Sequence, residues 1–188
     1  MKYQAINKQQ GIGLIEVLIT ILVIAIGLLG LAGMQAQSMK STYQSGQRSQ
    51  AIWMAQELAE RMRANPSAVS NQHYLNAINT VRAEISANPG SDKPCSTPSK
   101  ACDATNTCND EQLARYDAWD LFCADASTTP LPRVNPYLVC TPTSCADGSD
   151  IHITLEWEEA QTSFQRTTKT TGSGSDNPTV ELIIRLEG

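Results

Sequence analysis

Between Ile12 and Met34 the chain runs through 23 residues of which Glu16 alone is charged. Wound as a helix at 1.5 Å per residue, that stretch is roughly 35 Å long, enough to cross a hydrocarbon core of about 30 Å. The pattern then changes without a break. From Gln35 to Ala64 there is no proline and a single glycine, Gly46, and good helix formers dominate. Ala51, Ala55, Leu58 and Met62 fall at i, i+4, i+7 and i+11, one helical face, which Ile52 and Met54 widen. Glu57, Glu60, Arg61 and Arg63 populate the other side, with Glu57 and Arg61 an i,i+4 pair. Asn65-Pro66 closes the helix, because a residue preceding proline disfavours the helical region. The pattern thus predicts one continuous helix, apolar all round in its first half and amphipathic in its second.

A second helix is expected over residues 68 to 87, with Ala77, Ile78, Val81 and Ile85 along one side. From Asn88 to Thr107 the composition is that of a loop, rich in Pro, Ser, Thr, Asn and Cys. Leu113 to Phe122 reads as helix with Leu113, Tyr116 and Trp119 inward, and Pro130, Pro132 and Pro136 mark an irregular connection. The period then falls to two. Ile151, Ile153, Leu155 and Trp157 alternate with His152, Thr154, Glu156 and Glu158, as a half-buried strand requires. Val180, Leu182, Ile184 and Leu186 repeat the pattern, with Ile183 out of phase. Tyr137 to Cys140 and Ser163 to Thr168 are further strand candidates, and Gly172-Ser-Gly-Ser-Asp-Asn-Pro178 reads as the hairpin tip joining the last two. An antiparallel sheet of four strands with one face on the long helix accommodates both apolar stripes, giving an α+β fold. Trp119 and Trp157 are expected as core anchors.

Glu16 is the costly residue in this picture. A lone carboxylate inside a membrane helix costs about 2.5–3.5 kcal/mol on insertion scales, so a residue of that kind calls for a partner. The apolar run offers no Lys or Arg, but cleavage after Gly11 frees an amine at Ile12, a cation at the right depth. Three simpler readings fit less well. A secretory signal has an apolar core of about 7–15 residues and no glutamate. A plain anchor explains neither the Gly11-Ile12 boundary nor Glu16. A soluble core helix needs an amphipathic pattern, which is missing before Met34. Gly27, Gly30 and Gly33 fit either the ordinary tolerance of glycine in membrane helices or a face for close helix packing.

Charge and cysteine content narrow the rest. Fourteen Lys plus Arg against nineteen Asp plus Glu give a net charge of −5, which argues against nucleic acid as a partner. Cys95, Cys102, Cys108, Cys123, Cys140 and Cys145 all lie beyond the apolar run, an even set suited to disulfides in an oxidising compartment. Six cysteines allow fifteen pairings, and spacing leaves them open. Cys140–Cys145 is the pair that closes at least entropic cost. Zinc requires ligand pairs two to four residues apart, and His73 and His152 are remote in sequence from the cysteines, so no metal is expected. No cofactor motif, nucleophile elbow or phosphate loop is present, and an anchored periplasmic enzyme is the weakest functional reading.

The leader Met1–Gly11 with Lys2 and Lys8, the Gly11-Ile12 boundary and Glu16 at the fifth position after it resemble the class III signal of type IV pilins and their secretion relatives. Gly27-Leu-Leu-Gly-Leu-Ala-Gly33, then Gln50 through Pro66 with its Arg61-Met-Arg-Ala-Asn-Pro66 ending, is similar to the PilV-type minor pilins. So are Tyr116-Asp-Ala-Trp119 and the later Leu131-Pro132 and Val139-Cys140. The resemblance implies cleavage by prepilin peptidase between Gly11 and Ile12 and methylation of the Ile12 nitrogen. Ile12 stands where Phe is usual and Gly13 where Thr or Ser is common. It further implies a cleaved leader (1–11), a membrane helix (12–34), its amphipathic continuation (35–66) and a periplasmic globular domain (67–188). Implied partners are other minor pilins, the major pilin, a PilY-type tip protein and the inner membrane. The implied function is structural: pilus priming and assembly, and through them twitching motility and adhesion. A type II secretion pseudopilin shares the N-terminal chemistry and is the alternative. Arg61 and Arg63 are expected first as solvated charges and second as partner contacts.

Overall fold

A computed structural model describes residues 13–89, 91, 94–102, 105–124, 131, 133–142, 145, 148–158 and 177–185. The described residues fall into two units that divide between Tyr43 and Gln44. The first unit holds the apolar portion of helix α1 (Leu14–Ala64), whose Leu, Ile and Val side chains are all exposed. By length and composition this helix can cross a membrane.

In the second unit, α1 turns its amphipathic face inward. Ala51, Ala55, Leu58 and Met62 are fully buried and Met54 nearly so, as the helical spacing requires. Ile52 is 41% exposed and does not join them, since it lies a 100° step around the helix from Ala51. After Asn65 the chain enters α2 (Pro66–Ser70), with proline in the first turn where its missing N–H costs nothing.

The single helix expected over 68–87 is in fact two. α2 ends at Asn71-Gln72, with Gln72 in the left-handed region at φ 61°, and α3 (His73–Ala87) departs in a new direction. Left-handed residues commonly end helices. This one carries Tyr74 into the core, where it is fully buried. The next helix, α4 (Asp110–Phe122), begins three residues before the expected Leu113. Asn109 and Gln112 form a reciprocal capping box there, each side chain bonding the other's backbone N–H. Its buried face is Ala114, Asp117, Ala118 and Phe122, whereas the expected Leu113, Tyr116 and Trp119 are only half-buried. Two alanines four apart permit close packing on α3, and the larger side chains are displaced to the flanks.

The sheet is antiparallel, in the order β1 (Asn135–Thr141), β2 (Asp150–Glu156), β3 (Thr179–Arg185). Pairing runs one to one from Asn135↔Glu156 to Thr141↔Asp150 and from Asp150↔Arg185 to Glu156↔Thr179. Leu138, Cys140, Ile151, Ile153, Leu155 and Ile184 face the core, and Val139, His152 and Ile183 form a cross-strand row on the other face. Trp157 is buried at the end of β2, and Trp119 packs on the core half-buried. Among the described residues the sheet has three strands rather than four. The expected strand Ser163–Thr168 lies outside them, as do most of the Gly172–Pro178 tip and Leu186.

Candidate functional site

The N-terminal stretch of α1 presents its chemistry in one turn. Glu16 is in the first turn of the helix, its N–H bonded to the Gly13 carbonyl at 2.9 Å, and its side chain is exposed among exposed apolar neighbours. A carboxylate near a helix N-terminus is favoured by the aligned peptide dipoles, and a cation supplied nearby satisfies it further. Gly11 and Ile12, the expected cleavage and methylation positions, lie outside the described residues. A Cβ built at Gly27, Gly30 or Gly33 meets nothing within 4 Å. Among the described residues no contact demands glycine at these positions, and their backbone is open to another helix.

At its other end, α1 is clamped. Arg61 reaches Glu57 (Nη2–Oε1 2.6 Å), Asp117 (Nη1–Oδ1 3.1 Å) and Asp120 (Nη2–Oδ2 2.8 Å), so one guanidinium joins α1 to two turns of α4. The Tyr74 hydroxyl of α3 donates to Asp117 Oδ2 at 2.6 Å and lies 3.1 Å from the Arg61 carbonyl oxygen. Burial opposes the charge on Arg61, but the bonds to Glu57 and Asp120 and the field of Asp117 outweigh it and raise its pKa. For Tyr74, burial first and the Asp117 bond second push the hydroxyl well above the usual tyrosine range. Arg61 is thus neither solvated nor free for a partner. Arg63, paired with Glu60 and about half exposed, does match the solvated expectation. Asp117, Asp120 and Tyr74 were not legible as a clamp, because their partner lies more than 40 residues away in α1 for the two aspartates and turns on the Gln72 kink for the tyrosine. Asn65 extends the same junction, its Nδ2 donating to the Asp110 carbonyl at 3.4 Å.

The cysteines pair as Cys95–Cys123, Cys102–Cys108 and Cys140–Cys145. The first ties the loop after α3 to the end of α4, and the last closes the turn after β1. Among the described residues no group of three or more His, Cys, Asp or Glu side chains is placed to hold a metal ion.

An apolar helix bearing one carboxylate in its first turn, continued into an α+β unit with a small antiparallel sheet, is the architecture of a pilin. Comparison with protein families agrees. Residues 33–119 match the family model of the type IV pilin Tt1218, and residues 6–32 match the prokaryotic N-terminal methylation motif. The two matches adjoin, and the chain is a type IV pilin. No curated protein and no solved structure matches it. The family is structural rather than enzymatic, and the methylation motif carries with it processing by prepilin peptidase and assembly with other pilins.

Proposed function

We propose that this protein is a minor pilin of the PilV type that helps prime and build a type IV pilus, and so serves twitching motility and adhesion. Cleavage between Gly11 and Ile12 and methylation of the Ile12 nitrogen prepare it. Residues 12–34 hold it in the inner membrane, 35–66 continue the helix, and 67–188 stand on the periplasmic side. Its partners in this reading are the major pilin, other minor pilins and a PilY-type tip protein.

The observation that supports this best is Glu16, the only charged residue of the apolar run Ile12–Met34, lying inside the stretch that matches the methylation motif. In lipid or in a fibre core an unpaired carboxylate costs several kcal/mol, on the order of the desolvation penalty of a buried ion. The Ile12 amine of a neighbouring subunit removes that cost only at one axial stagger. The pair therefore sets register as the subunit leaves the membrane.

Glu16→Ala is expected to leave leader removal intact while lowering recovery of the protein in sheared filaments about tenfold or more, equivalent to about 1.4 kcal/mol or more. Unchanged recovery contradicts the register mechanism. A deletion strain that keeps normal pili and twitching but loses secreted enzymes assigns the chain to the pseudopilins of type II secretion instead.

A further inference from the structure

The first turn of α4 holds the corner where α1 passes into α2. Asp110, the first residue of α4, accepts the Asn65 Nδ2 donor on its carbonyl and the Ser67 hydroxyl on its carboxylate. Asn65 is only 6% exposed. The corner's own backbone is closed by the Asn65 N–H on the Met62 carbonyl and the Ala68 N–H on the Asn65 carbonyl. Two residues before Asp110 stands Cys108, bonded to Cys102, so this disulfide anchors the chain immediately outside the Asn109 cap. Lys100 Nζ donates to the Thr107 carbonyl and brackets the same loop.

The three disulfides differ in how far solvent reaches them. Cys123, Cys140 and Cys145 belong to the core at 3–4% exposed, and Cys95 packs against it. Cys102 and Cys108 are both half-buried, and neither joins the core. A thiolate must approach a disulfide sulfur directly, so access ranks Cys102–Cys108 first. The first turn of a helix has N–H groups without intrahelical partners and depends on its cap. A tether just outside the cap suppresses fraying of that turn, and fraying is the local opening that frees Asp110 from Asn65 and Ser67. At the far end Cys123 holds α4 through Cys95, which confines the opening to the N-terminal turn.

We infer that Cys102–Cys108 is a thiol-responsive latch on the α1–α2 corner: a dithiol that reduces it loosens the corner while the rest of the fold stays closed. The inference goes beyond the proposed function and does not depend on it. One thiolate of the reductant attacks a sulfur of the bridge, which breaks the S–S bond, forms a mixed disulfide and frees the other cysteine. Its second thiolate then attacks the mixed disulfide and releases the remaining cysteine. Two electrons and two protons pass to Cys102 and Cys108, and the reductant leaves as a cyclic disulfide. Linkage makes the coupling reciprocal, so weakening the corner makes the bridge easier to reduce.

The test titrates the full chain in detergent with reduced and oxidised dithiothreitol in defined ratios, and assigns the free cysteines by alkylation and mass spectrometry. Cys102–Cys108 is expected to open at the lowest ratio. Ser67→Ala takes a donor from Asp110 without touching the bridge or α4. It is expected to lower that ratio about threefold, roughly 14 mV for a two-electron couple, and to leave Cys140–Cys145 unchanged. In a chain carrying both Cys102→Ser and Cys108→Ser, amide hydrogen exchange at Asn65 and Ala68 is expected to quicken about tenfold while Ile153 in β2 keeps its rate. Opening of another bridge first overturns the latch, as does a bridge no easier to reduce in Ser67→Ala. Faster exchange confined to the first turn of α4, with Asn65 and Ala68 unchanged, makes the bridge a purely local tether and also overturns it. An equal rise at Ile153 reports general loosening and does the same.

Discussion

At the scale of single residues, the molecule is governed by two acidic side chains in opposite surroundings. Glu16 has no partner among the described residues, and in the proposed function it takes one from a neighbouring subunit. Asp117, buried in α4, is satisfied from two sides by Arg61 and Tyr74. The second arrangement makes a pH-dependent contribution whose sign is fixed by Tyr74. Its hydroxyl is held protonated in the fold above its usual pKa of about 10, so its contribution is complete below about pH 10 and falls as pH rises through the alkaline range. Thermal unfolding of the full chain in detergent is therefore expected to weaken above about pH 10. Tyr74→Phe is expected to flatten that decline while costing about 1.5–3 kcal/mol at neutral pH, because Asp117 loses a donor. Identical alkaline slopes in the two proteins contradict this role for Tyr74.

Among elements, the decisive contact is α1 against α4, made through Arg61. Arg61→Ala leaves Asp117 buried without its cation and is expected to cost about 3 kcal/mol, as broken buried pairs do. Arg63→Ala, two residues on, removes an exposed pair with Glu60 and is expected to change stability by about 0.5 kcal/mol or less. Denaturant unfolding of the two variants separates them, and equal effects contradict the clamp. The contrast also shows what the sequence could carry. The Ala51–Met62 stripe was legible because burial on one helix imposes a 3.6-residue period, and β2 was legible because its faces alternate. The break after Ser70 was not, since Asn71-Gln72 lacks the glycine that usually marks a left-handed helix end. In α4 the large residues mark a different face from the one that packing selects, which is built on Ala114 and Ala118. Arg61 and Arg63 look alike in sequence. Only the long-range approach of α4 makes one a clamp and leaves the other in water.

For the whole molecule, the proposed function makes an apolar helix with one carboxylate a means of leaving the membrane as well as staying in it. The second unit is stapled by three disulfides and clamped at Arg61. The Glu16 motif and the cysteine count were open to sequence reasoning because each is a local signature. The strand order of the sheet was not, because it emerges only when β1, β2 and β3 pair. The central claim is that the chain is cut at Gly11-Ile12 and built into a fibre. Its most direct test is the intact mass of the protein recovered from sheared surface filaments. The account predicts a chain that begins at N-methylated Ile12 and carries three disulfides. An uncut chain beginning at Met1, confined to the membrane fraction, contradicts it.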